Sequence, residues 1–66
     1  MQVTINGRAH QLVGGVSLAQ AVALLTSAPS GVAAAVNGAV VPRAAWVSTA
    51  LAENDEVEVL TAVQGG

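Results

Sequence analysis

Near its start the chain reads Met1-Gln2-Val3-Thr4-Ile5-Asn6-Gly7, and little but a β-hairpin can follow from that. Met1, Val3 and Ile5 alternate with Gln2, Thr4 and Asn6, a period of two that predicts a half-buried strand. Asn6-Gly7 suits a type I′ turn, which needs positive φ at both central positions. A second strand then runs through about Val13. A two-residue turn places Arg8, His10 and Leu12 on the face of Val3 and Ile5, so Arg8 must reach water from the end of the sheet. A bulge beside Gly7 swaps those faces, and the pattern alone leaves both registers open.

Gly14-Gly15 breaks the second strand. Ser17-Leu18-Ala19-Gln20 matches a capping box, in which a serine hydroxyl and a glutamine amide satisfy each other's free backbone N–H groups. Leu18, Ala21, Val22 and Leu25 follow at helical spacing and form one apolar stripe. The helix is expected to end before the breaker cluster Ala28-Pro29-Ser30-Gly31. It is short enough that packing against a sheet must hold it together.

Residues 32–36 fit strand or helix by pattern, and the flanking Gly31 and Asn37-Gly38 favour a strand. Val40-Val41 resumes after that turn, and Pro42 ends it by removing a ladder donor. In residues 44–52, Trp46 with Ala50 and Val47 with Leu51 stand four apart, which predicts one or two loose helical turns. Glu53-Asn54-Asp55 reads as a turn with Asn54 in the left-handed region. Val57, Val59 and Thr61 then alternate with Glu56, Glu58 and Leu60 in a last strand. One helix covers only one face of a sheet, so the first and last strands are expected side by side in its middle. The class is α+β, a β-grasp arrangement: a mixed sheet with one main helix packed on one face.

At 66 residues without cysteine, stability must come from an apolar core with no disulfide or structural metal to help. Trp46 is the sole aromatic residue, so that core is thin. One domain is expected over residues 1–66, with 64–66 as a flexible C-terminal tail. The longest apolar runs, 21–25 and 32–36, fall far short of the roughly 20 residues a bilayer span requires. No basic segment precedes an apolar one, so no signal peptide is expected, and the absence of cysteine fits a cytoplasmic protein. The formal charge is −2, with Arg8 and Arg43 the only basic residues besides His10. Nucleic-acid binding would need a basic footprint and stacking aromatics that this composition lacks.

The chemistry available to side chains is slight. There is no Cys, Tyr or Lys, and His10 is the only histidine, on a hairpin strand with no acid near it in sequence. Ser17 is better explained as a cap than as a nucleophile, so self-contained catalysis is not expected. Arg43, after Pro42, suits an anion or a partner carboxylate, or else pairs with the acids near Glu53. Glu53, Asp55, Glu56 and Glu58 read either as a solvated turn and strand face or as a docking patch for a basic surface. Leu60 falls on the side opposite Val57 and Val59, an exposed apolar contact or an ordinary surface leucine. Val63 is a last core position or a tail contact. The sequence closes on Gln64-Gly65-Gly66. These glycines are slack, or they let a C-terminal carboxylate pass a narrow channel into another protein's active site. At neutral pH that carboxylate is anionic and a poor electrophile, so a partner would have to activate it, for instance as an anhydride with AMP.

The order "VNGAVVPRAAW…ENDEVEVLTAVQGG" resembles the sulfur carrier proteins of thiamine biosynthesis, the ThiS family, which are ubiquitin-like. The resemblance covers essentially the whole chain. It rests on Val36-Asn37-Gly38, Val41-Pro42-Arg43 followed by Trp46, the acidic turn before Val57, and Gly65-Gly66. The opening strand with Asn6-Gly7, and Gly15 ahead of Ser17-Leu18, also fit. Asn54 departs from the glycine usual there, but asparagine tolerates the same backbone. The resemblance implies that a ubiquitin-activating-like adenylyltransferase of ThiF type uses MgATP to adenylate Gly66. A cysteine desulfurase or other donor then supplies sulfur to give a thiocarboxylate, and a thiazole synthase of ThiG type takes that sulfur into thiamine's thiazole. Gly65 and Gln64 would thread into the partner's active site. Leu60, Val63, Arg43, Glu56 and Glu58 are the docking candidates. The chain itself would bind no cofactor or metal. The small subunit of molybdopterin synthase, and a ubiquitin-like modifier or binding module, are the alternatives.

Overall fold

In the computed structural model, which describes residues 1–27 and 30–61, the first hairpin forms as its sequence directs. Strand β1 (Gln2–Ile5) pairs antiparallel with β2 (Arg8–Gln11). Ile5 faces Arg8 and Val3 faces His10, so the loop has two residues and no bulge. Asn6 and Gly7 both take positive φ, 51° and 82°, as a type I′ turn demands. Arg8 reaches water at the sheet's end, as that register requires. The second strand stops at Gln11, two residues short of the expected end, and Val13 is exposed.

Helix α1 (Leu18–Ala23) begins at the predicted cap. The Gln20 backbone N–H donates to the Ser17 hydroxyl at 3.2 Å, and the Ser17 backbone N–H donates to Gln20 Oε1 at 2.9 Å. Leu18, Ala21 and Val22 are buried, but the stripe ends there. The helix closes at Ala23, well before the breaker cluster, and Leu25 is 44% exposed. Six residues make fewer than two turns, so the element runs out before Leu25 can be carried over the sheet.

Residues 32–36 are a strand, β3 (Val32–Val36), joined to β4 (Ala39–Val41) through Asn37-Gly38, both again at positive φ. A 3-10 turn (Arg43–Ala45) follows Pro42. It starts earlier than the expected helical turns, and it splits their pairs: Trp46 and Leu51 are buried, whereas Val47 is 79% exposed. The Thr49 hydroxyl donates to the Ala45 carbonyl, and the Trp46 indole N–H to the Val41 carbonyl at 2.9 Å. The first bond ties the crossover to itself, and the second holds it against the end of β4. Asn54 turns in the left-handed region, φ 67°, and β5 (Glu56–Thr61) follows.

The five strands form one sheet in the order β2-β1-β5-β3-β4. β5 lies in the middle, parallel to β1 and antiparallel to β3. The helix and the crossover cover one face. There Val3, Ile5, Ala34, Val57 and Val59 pack with Leu18, Ala21, Val22, Trp46 and Leu51. Ile5 and Leu18 are almost wholly buried, and each such side chain contributes about 1.5–3 kcal/mol relative to exposure. The mixed sheet with one helix on one face is the expected β-grasp fold. No helix of the described residues is long and apolar enough to cross a membrane.

Candidate functional site

β5 is the strand from which residues 62–66 continue, and its fixing is unusually thorough. On one side, β1 ends at Ile5 while β5 goes on. The Asn6 side chain fills the place of the missing strand: its Nδ2 donates to the Val59 carbonyl at 3.1 Å and its Oδ1 accepts from the Val59 N–H at 2.8 Å. On the other side, Asn37 Oδ1 accepts from the Glu56 N–H at 2.9 Å, and its Nδ2 donates to Asp55 Oδ1 at 3.0 Å. The residues that make the two hairpin turns therefore also grip the central strand. Reading the sequence for turns found these asparagines, but not this second task.

The sheet face away from the helix is open. Leu60 stands on it, 68% exposed, with Glu56 and Glu58 along the same strand. Pairing brings Ala33 opposite Leu60, and Ala35 opposite both Glu58 and Val40. Ala33, Val40, Glu58 and Leu60 border a shallow, mainly apolar depression of about 200 Å³. Leu60 is thus not a lone surface leucine, because Val40, itself 77% exposed, extends the patch. Val40 was not singled out from the sequence; its place opposite Ala35 puts it there.

The four acids divide. Glu53 Oε2 accepts from the Gln2 N–H, and Asp55 Oδ2 accepts from the Ala52 N–H. Those two order the turn before β5, leaving Glu56 and Glu58 on the open face. Arg43 pairs with none of the acids around Glu53. Its guanidinium lies over the Trp46 ring, 5.1 Å from the centroid, where cation–π attraction holds it. It borders a different concavity, against the helix, so the docking candidates do not form one surface.

His10 is half-buried opposite Val3, an ordinary strand position. Among the described residues no three His, Cys, Asp or Glu side chains cluster to hold a metal. Val63, Gln64, Gly65 and Gly66, with the expected tail 64–66, lie outside the described residues, as do Ala28 and Pro29.

No curated protein matches the sequence significantly. Among solved structures, the crystal structure of a thiamine biosynthesis protein (ThiS) from Geobacter metallireducens superposes with a TM-score of 0.80 at 28% identity, covering 100% of both chains. A solution NMR structure of a thiamine biosynthesis protein from the same organism gives 0.79 at 29% identity, covering 100% of this chain and 88% of the other. The ThiS family model matches residues 3–66. With nearly every position inside that match, the chain belongs to the ThiS family, the sulfur carriers of thiamine biosynthesis.

Proposed function

We propose that the chain carries sulfur as a thiocarboxylate on Gly66, in the cytoplasm, for the thiazole moiety of thiamine. The family match running through residue 66 carries this reading. In it, the Gly66 carboxylate attacks the α-phosphorus of MgATP on an adenylyltransferase of ThiF type, and pyrophosphate leaves. A persulfide from a cysteine desulfurase or other donor then attacks the acyl carbon and expels AMP. Cleavage of its S–S bond by a thiol leaves the thiocarboxylate. That sulfur is anionic at neutral pH and a ready nucleophile, as thiolate is for cysteine. A thiazole synthase of ThiG type takes it up. The chain is a co-substrate in these steps, and MgATP belongs to its partner.

Delivery needs a handle and a bare end. Gly65 and Gln64 enter the partner's active site, where absent or slender side chains ease passage, and Val63 meets its mouth. The open face supports the handle: Leu60 and Val40 offer apolar contact, and Glu56 and Glu58 meet a basic rim that speeds association.

The test is intact mass after incubation with the adenylyltransferase, MgATP and a sulfur donor. A gain equal to exchanging one oxygen for sulfur, lost when Gly66 is deleted, is expected. An unchanged mass with a partner competent on another carrier refutes the proposal. In cells, deletion of the gene should be rescued by the thiazole alcohol. Loss of molybdoenzyme activity alone would move the chain to the molybdopterin pathway instead.

A further inference from the structure

On the helix side, α1 and the 3-10 turn leave a groove of about 320 Å³ between them, bordered by Ala19, Val22, Ala23, Arg43, Trp46 and Val47. None of these residues borders the depression around Leu60. The groove is open along the surface, whereas small-molecule sites enclose most of their ligand. Its chemistry has one sign. The Arg43 guanidinium is held at the rim by the Trp46 ring, and the ring is itself pinned through its N–H to Val41. Glu53 and Asp55 are engaged in the turn before β5, and Glu56 and Glu58 belong to the other face. Among the described residues Arg43 therefore has no carboxylate partner, in a chain whose formal charge is −2. A pre-oriented guanidinium suits a carboxylate better than a mobile ammonium would, since less rotamer freedom is lost on binding. Beside it Val47 is 79% exposed, an apolar contact next to the charge.

We propose that this groove is a second protein-docking surface, which takes an acidic side chain of a partner's extended segment on Arg43 and apolar neighbours of that acid on Ala23 and Val47. It is separate from the face around Leu60 and does not depend on sulfur transfer. Two partners could therefore engage the chain at once, one on each side of the sheet.

Trp46 is the only tryptophan and there is no tyrosine, so intrinsic emission reads the groove directly. The intact chain is titrated with acetyl-Leu-Glu-Val-Glu-Leu-amide and with the same peptide carrying Gln for Glu. The acidic peptide should give a saturable change in Trp46 emission. Binding should be at least about fivefold weaker for the Gln peptide and should weaken as salt screens the contact. Amide shifts should map to Ala19, Val22, Ala23 and Val47. Arg43→Gln and Val47→Glu, the second placing a carboxylate beside Arg43, should each abolish the response. Both positions are exposed, so both variants should fold, Arg43→Gln melting slightly lower for want of its contact with Trp46; if either variant misfolds, the two-peptide comparison on the parent chain decides. Equal response to both peptides, no saturation at millimolar peptide, shifts confined to Ala33, Ala35 and Leu60, or a response explained by self-association in sedimentation would overturn the proposal.

Discussion

Three asparagines adopt positive φ, Asn6, Asn37 and Asn54, and they permit a clean test of the grip on β5. Replacing such an asparagine by glycine relieves left-handed strain but gives the unfolded chain more freedom; each effect is on the order of 1 kcal/mol, and they oppose one another. Asn54 makes no side-chain hydrogen bond among the described residues, only a backbone bond from its N–H to the Gln2 carbonyl. Asn54→Gly therefore measures the backbone effect by itself. Asn6→Gly adds the loss of two part-buried bonds to Val59. At about 0.5–1.5 kcal/mol net for each bond, it should be less stable than Asn54→Gly by about 1–3 kcal/mol. For a domain this small that is a Tm gap of roughly 5–20 °C. Asn37→Gly loses bonds at exposed positions and should fall between the two. Thermal and urea unfolding followed by circular dichroism measure all three. If Asn6→Gly and Asn54→Gly melt together, the amide grip contributes nothing and the positive-φ turn alone explains Asn6.

Ser17→Ala removes the hydroxyl that accepts from Gln20, and should cost about 1 kcal/mol. Urea midpoints read it, and a change under about 0.3 kcal/mol would mean that packing alone starts the helix. Leu60→Glu, at an exposed position, should leave the melting curve unchanged and weaken binding to the adenylyltransferase by about tenfold or more, the scale of losing one well-packed contact. Unaltered affinity in calorimetry would remove Leu60 from the docking surface.

Much of the fold is legible because its signals are local. Asn6-Gly7 marks the first turn, although only the pairing of Ile5 with Arg8 excludes a bulge there; Ser17 and Gln20 satisfy each other within one turn, and the alternation of residues 56–61 separates Val57 and Val59 from Leu60. What escaped depends on approach in space. Nothing near Asn6 in sequence indicates that β1 will stop short of β5, so its bond to Val59, 53 residues away, has no local signature. Leu25 and Val47 sit at helical spacing, but spacing says which residues share a face only while the helix lasts, and both helical stretches end early. Arg43 was open between the nearby acids and an outside anion or carboxylate; the indole three residues on, itself held by Val41, keeps it from the acids. The open-face patch was half legible, since Leu60 follows from alternation while Val40 joins it through pairing.

Because β5 is the middle strand, the hairpins β1–β2 and β3–β4 are joined within the sheet only through it. If a partner enzyme draws on the segment beyond Thr61, as proposed above, it does not tug a loose edge. It loads the central plank along its length, and the hydrogen bonds to both neighbours resist together in shear rather than opening one by one like a zip. The same layout means that no continuous sheet exists until this strand lies between the two hairpins.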